Sequence, residues 1–225
     1  MKKITANIIS PGGNNTALIE GLFSPSERKQ INKKIMQIYP TVEQIGFYRY
    51  DEEKNLANLE MAGGEFCGNA CRSLAYLLIK STYGKLKIKS SGTNQIIKAG
   101  MNKGYSYTQI PVNNLFENIK KINKNIWQVT LEGITHLILY EKSPIIDING
   151  IKKFGMDLLN KTKLSETEKA AGVMIVTEDR KLFPVVWVRD IQTLFLETSC
   201  ASGTSAIAAL ELYKNKYKKI VTTLI

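Results

Sequence analysis

Apolar and β-branched residues alternate with polar ones over roughly 3–9, 16–22, 44–50, 56–61, 86–90, 94–99 and 105–110. That two-residue period is the signature of half-buried strands. The segment from Pro25 to Ile38 instead places apolar residues at 31, 35 and 38, one stripe of an α-helix. Ser73-Leu-Ala-Tyr-Leu-Leu-Ile-Lys is apolar nearly all round, which predicts a buried helix ending near Gly84. The plan then repeats, with strands expected at roughly 126–131, 134–141, 172–177 and 182–189 and a polar helical stretch around 151–170. A second apolar helix runs through Ala206-Ile-Ala-Ala-Leu-Glu-Leu-Tyr. Gly100 to Asn114 is turn-rich and is the candidate crossover. The pattern predicts an α/β (α+β) chain of two halves, 1–110 and 111–225.

Length and composition narrow the class. The 225 residues allow one large domain or two small ones with real cores, and no apolar run reaches membrane-spanning length. The N-terminus has the alternation of a strand and no continuous signal-peptide core. Three cysteines without a secretion signal fit a reducing cytoplasm better than a disulfide framework. A net charge of +11 raises nucleic-acid binding as one reading. The charge is nearly all lysine, however, in stretches such as Lys120-Lys-Ile-Asn-Lys-Asn and Lys214-Asn-Lys-Tyr-Lys-Lys, expected in helices or loops. Only Arg28, Arg49, Arg72, Arg180 and Arg189 offer a planar fork. A solvated lysine-rich surface accounts for it better.

Two cysteines carry the sharpest chemical signal. Cys67 in Glu65-Phe-Cys67-Gly-Asn-Ala and Cys200 in Glu197-Thr-Ser-Cys200-Ala-Ser-Gly-Thr each stand where an extended stretch gives way to small residues and a helix. A thiol there meets the positive end of the helix dipole, so a thiolate near neutral pH is expected. The unpaired N–H groups can also hold a carboxylate. One buried cysteine before a helix is usually core packing; two in matching settings point to a pair of acid/base groups facing one substrate. Cys71, one turn past Cys67, is expected to pack, and Cys67 with Cys71 lacks a second ligand pair for a metal.

These residues resemble the diaminopimelate epimerase superfamily of cofactor-independent amino-acid racemases. Cys67-Gly-Asn-Ala-Cys-Arg is similar to its first motif, Cys200-Ala-Ser-Gly-Thr to its second, and Ser10-Pro-Gly-Gly-Asn14 to its N-terminal Gly-Asn motif. Glu43-Gln44 matches an acidic-Gln pair, and Gly133-Ile-Thr-His136 falls where the family has Gly-Asn-Pro-His. Within the superfamily, Met61 to Ala70, 43–47 and 199–204 look like the histidine racemases, including those of staphylopine-type pathways. The resemblance implies two pseudo-symmetric halves, each a curved sheet around a central helix, with the substrate between them. It implies Cys67 and Cys200 as catalytic pair, supported by His136 and Glu43. Asn14, Gln44, Gly68, Asn69, Ser202, Gly203 and Thr204 would bind substrate. No cofactor or metal is implied, the partner is a small amino acid, neither nucleic acid nor membrane is called for, and a homodimer is compatible.

Two departures qualify this. The Glu-Arg-Gly element that holds the distal group of diaminopimelate has no counterpart in Asp190-Ile-Gln-Thr-Leu-Phe-Leu. Leaving those charges without partners would cost several charge-assisted hydrogen bonds, which disfavours that substrate. Family members also continue past the second helix, whereas this sequence stops at Ile220-Val-Thr-Thr-Leu-Ile225, so the last strands are expected to be lacking and an edge left unpaired. The alternatives are diaminopimelate epimerase, another amino-acid racemase, and a small-ligand binding protein on the same fold that has lost catalysis. Retention of both cysteines argues against the last.

Overall fold

The computed structural model describes residues 4–112, 114, 116–141 and 147–215. The chain divides into two compact units, residues 1–111 and 112–225. The first holds strands β1 (Ala6–Ile9) and β2 (Thr16–Glu20), helix α1 (Pro25–Ile38), strands β3 (Gln44–Asp51) and β4 (Leu56–Met61), helix α2 (Gly68–Leu78), and strands β5 (Gly84–Ser90), β6 (Ile96–Asn102) and β7 (Tyr105–Thr108). They form one seven-stranded sheet in sequence order. Its two parallel pairs, β2 with β3 and β4 with β5, are those whose connections contain α1 and α2.

Local chemistry starts and stops these elements. Ser24 caps α1, accepting a hydrogen bond from the Glu27 N–H while the Glu27 carboxylate accepts from the Ser24 N–H at 2.7 Å. With Pro25 at the first helical position, this is a capping box. Lys103 and Gly104, both at positive φ, close the two-residue hairpin between β6 and β7.

Helix α2 sets the shape of the first unit. It touches β2, β3, β5, β6 and β7. Strands lie about 4.8 Å apart, so β2 and β7 would be separated by roughly 24 Å in a flat sheet, about twice a helix diameter. The sheet therefore curves around the helix. Ala70, Cys71, Leu74 and Ala75 pack in one core with Leu18, Leu59, Leu86, Ile88 and Ile97.

The second unit is layered. It contains β8 (Ile119–Lys121), β9 (Ile126–Leu131), β10 (Ile134–Glu141), helices α3 (Ile148–Lys161) and α4 (Leu164–Thr167), β11 (Ala170–Thr177), β12 (Leu182–Val188), β13 (Thr193–Leu196) and α5 (Ala201–Lys214). The six strands order as β13-β12-β11-β10-β9-β8, with β10 and β11 parallel. All eight residues of β11 are buried, because both faces of the strand are covered. Ala171, Val173 and Ile175 pack with Ile151, Leu159 and Leu164 from α3 and α4. Met174, of the opposite parity, meets α5 so closely that a Cβ on Gly203 would lie 2.1 Å from its Sδ. The same alternation puts His136 of β10, paired with Gly172, on the α5 side.

The two-half α/β architecture agrees with the sequence reading, with five local differences. Helix α2 ends at Leu78, short of the expected end near Gly84, because Gly84 is already the first residue of β5. Most of the turn-rich stretch 100–114 belongs to the β6–β7 hairpin, because Lys103-Gly104 folds it back onto the first sheet. The helical stretch expected at 151–170 is two helices broken at Lys163, which adopts φ 62°, and β11 begins at Ala170. Strands β8 and β13 escape the period-two signal because neither alternates, β8 having one buried residue before two exposed lysines and β13 four half-buried residues. Lys120 and Lys121 accordingly lie in a strand rather than a helix or loop. The expectation placed on residues 220–225 lies outside the described residues.

Leu74 is fully buried in the α2 core. Leu74→Ala is expected to lower unfolding free energy by about 2–5 kcal/mol, the cost of a cavity that a sheet already wrapped on the helix cannot collapse into. Denaturant titration followed by circular dichroism measures it.

Candidate active site

In the first unit, three chain segments meet at the start of α2. Parallel pairing sets Thr16 opposite Gln44, and the Asn15 carbonyl accepts from the Glu43 N–H at 2.8 Å. Asn14, fully buried, donates from Nδ2 to Glu43 Oε2 at 2.8 Å and accepts from the Thr16 hydroxyl at 3.1 Å. One residue on, Gln44 Oε1 accepts from the Cys67 thiol at 2.6 Å. Cys67 is the N-cap of α2, and its sulfur accepts from the Ala70 N–H at 3.3 Å. Gly68 and Asn69 follow it into the helix, both buried. Burial pulls the Arg72 guanidinium down from its usual range, and charge coupling to Cys67 partly opposes this. Cys71 is fully buried against Ser90, and desolvation pushes its thiol up to about 12, which makes it a packing residue.

The second unit repeats the arrangement at α5. Cys200 is its N-cap, with φ −130° and ψ 107° against −131° and 110° at Cys67. Its sulfur lies 3.5 Å from the Ser202 hydroxyl, which is 3.0 Å from His136 Nε2. A line of three side chains thus joins a thiol to the chain's one histidine. The His136 ring is fully buried, and Nδ1 finds no hydrogen-bond partner among the described residues. Gly172 makes room for it, since a Cβ there would lie 2.5 Å from Nδ1. Burial alone depresses the imidazole to about 3, so it is neutral at every pH the folded chain meets in practice.

The expectation of a readily formed thiolate fails at Cys200. Its thiol is raised well above the ordinary value, first by desolvation and then by the nearby Glu197 carboxylate. A helix start offers a charge roughly 0.3–2 kcal/mol, less than the several kcal/mol that burial takes from it. Glu197 and Glu65 are buried carboxylates preceding the two cysteines, and the sequence reading gave neither a role. An acidic residue at the end of an apolar stretch was the available signal.

Of the predicted site residues, Asn14, Glu43, Gln44, Cys67, Gly68 and Asn69 fall around the start of α2. His136, Cys200, Ser202, Gly203 and Thr204 gather at the start of α5 or on the strand beside it. The Gln44 side chain meets the Cys67 thiol itself. Among the described residues, no group of three or more His, Cys, Asp or Glu side chains could hold a metal ion, and no helix is long and apolar enough to cross a membrane.

Two α/β units, each starting a buried helix with a cysteine, belong to an isomerase of the racemase and epimerase class. The fold is similar to that of a phenazine biosynthesis PhzC/PhzF protein from Clostridium difficile, with a TM-score of 0.55, 10% identity, and 95% of this chain and 83% of that one covered. A predicted epimerase from Pseudomonas aeruginosa gives a TM-score of 0.50 at 11% identity, covering 92% and 78%. Residues 3–224 match the family model of the histidine racemase CntK N-terminal domain, and the chain belongs to that family. A histidine racemase from Staphylococcus aureus is 27% identical over 217 residues, covering 91% of this chain and 78% of the relative. One from Fusobacterium nucleatum subsp. nucleatum is 30% identical over 228 residues, covering 94% and 81%.

The neutral His136 has a measurable consequence. An unfolded chain takes up this proton near pH 6.5, whereas the folded one does so only near 3. Stability from this residue is therefore complete above about pH 6.5 and is lost as pH falls toward 3, with a slope approaching 1.4 kcal/mol per pH unit. Denaturant midpoints measured from pH 7 to 4 should fall, and His136→Gln should remove that part of the slope.

Proposed function

We propose that this chain is a histidine racemase that works without a cofactor, with Cys67 and Cys200 as its acid/base pair. The observation that carries the proposal is the matched pair of buried cysteine N-caps, alike in backbone conformation and each followed by small residues. Histidine racemases among the relatives support the substrate. Racemisation takes the α-proton from one face of a carbon and returns one to the other, so two groups are needed, one ionised and one protonated. Burial and Glu197 favour Cys200 as the resting thiol, which leaves Cys67 as the resting base.

The bonds balance in two steps. The Cys67 thiolate takes the proton, so the C–H bond breaks and an S–H bond forms, leaving its electron pair on Cα and the substrate carboxylate. The Cys200 S–H bond then breaks as a C–H bond forms on the opposite face. The product has the other hand, and the two thiols have exchanged states. Substrate of the opposite hand is processed in reverse, or proton exchange with water resets the pair. The barrier is the weak acidity of an amino-acid α-proton, so the developing charge must be stabilised. First-turn N–H groups around Gly68-Asn69 and Ser202-Gly203 are suited to the carboxylate, whereas the Thr204 N–H already bonds the Cys200 carbonyl at 2.9 Å. With Nε2 protonated, a neutral His136 donates to Ser202 Oγ and leaves the Ser202 proton for the Cys200 thiolate. Asn14, Glu43 and Asn69 serve the amine, carboxylate or side chain of the substrate.

Cys67→Ala and Cys200→Ala should each abolish racemisation, a loss of about two to four orders of magnitude for a missing acid or base. Cys71→Ala should keep most of it. Near-normal turnover by either of the first two variants, measured by chiral chromatography, would end the two-cysteine scheme.

In deuterated water without added pyridoxal phosphate, L-histidine should yield D-histidine carrying deuterium at Cα, since the returned proton comes from a thiol in exchange with solvent. Inversion of diaminopimelate with none of histidine would move the substrate assignment. Inversion of neither would favour a binding protein.

A further inference from the structure

Each thiol of such a pair must exist in both protonation states during one catalytic cycle, and a buried sulfur cannot rely on water in either. Cys67 is only 8% exposed. In its protonated state the Cys67 S–H donates to Gln44 Oε1 at 2.6 Å, and its sulfur accepts from the Ala70 N–H at 3.3 Å. Once the proton leaves, that arrangement becomes unfavourable, with a carbonyl oxygen pressed against a negative sulfur. The Gln44 backbone is tied into β3 opposite Thr16, so the backbone cannot retreat. The side-chain amide, however, ends in two groups of nearly equal size, one a pure acceptor and the other a donor.

We infer that Gln44 adapts the site to both states of Cys67, offering Oε1 to the thiol and turning its amide over to offer Nε2–H to the thiolate. The inference rests on the acid/base reading of Cys67 and gives Gln44 a part in positioning the reacting sulfur rather than in holding substrate. Turning a planar amide about its last bond needs no new volume, and the bond it makes to a thiolate is charge-assisted and the stronger of the two. The second thiol has a partner with the same property. Ser202, 3.5 Å from Cys200, is a hydroxyl that can either donate or accept. Both sulfurs thus contact a neutral group able to reverse its hydrogen bond, and neither contact imposes one charge state.

The sign of one measurement separates this from a purely accepting Gln44. An acceptor alone favours the thiol, so removing it would move Cys67 ionisation to lower pH. An amide that turns over and donates to the thiolate favours the ion, so removing it would move ionisation to higher pH. The rate of Cys67 modification by iodoacetamide is to be followed against pH by peptide mass spectrometry, in the full chain and in Gln44→Leu. The expected result is an upward move of the half-maximal pH by about one unit, a roughly tenfold slower modification at neutral pH. An unchanged curve or a downward move overturns the inference. If Gln44→Leu does not fold, Gln44→Met, closer in shape and equally unable to donate, gives the same reading. Modification needs no turnover, so failure of the acid/base scheme itself, through activity surviving in Cys67→Ala, is read separately.

Discussion

A sulfur removed from water resists ionisation, and at Cys200 that desolvation outweighs what the helix start supplies. The surrounding structure is organised around this constraint. An apolar helix brings its first residue into the core when it docks on a sheet, and both α2 and α5 begin with a buried cysteine. The consequence is a thiol with little contact with water, whose charge depends on a few neighbours. Those neighbours include a neutral hydrogen-bonding group at each sulfur, Gln44 and Ser202, together with a charged group, Arg72 near Cys67 and Glu197 near Cys200. The two cysteines therefore share a backbone conformation and differ in electrostatics.

The two units reach the same local geometry by different packing. In the first, a sheet curls around α2, so residues from β2, β3 and β6 surround one helix. In the second, β11 is buried between α3 and α4 on one side and α5 on the other. The glycines belong to this second arrangement. Gly172 admits the His136 ring, and Gly203 admits Met174. A methyl group at either would push against a packed neighbour and shift the residues beside Cys200.

His136 shows how context removes a familiar property. Histidine usually titrates near neutral pH, and that makes it the common choice for moving protons. Here burial holds it neutral, and it reaches the thiol only through Ser202. Its value is fixed orientation: a ring that cannot charge gives Ser202 a steady partner while the sulfur changes state.

Much of the secondary structure was legible along the chain, because alternation and helical stripes are local. The period-two pattern located β4 at 56–61 and β9 at 126–131, and the stripe at 31, 35 and 38 located α1. The helix-start chemistry of Cys67 and Cys200 was equally local, as were the motifs that pointed to the family. Strands β8 and β13 were not legible, since neither alternates: β8 is one buried residue followed by two exposed lysines, and all four residues of β13 are half-buried. Nor was the site's wiring. Gln44 and Cys67 are 23 residues apart, and His136 and Ser202 are 66 apart. Whether such residues touch depends on parallel registers, Thr16 on Gln44 and His136 on Gly172, that no local pattern encodes. The sequence by itself determined where α1, α2 and α5 begin and which residues begin them. Only the tertiary structure decided how much water each sulfur loses and which side chain replaces it, because burial and long-range hydrogen bonds are properties of the packed chain.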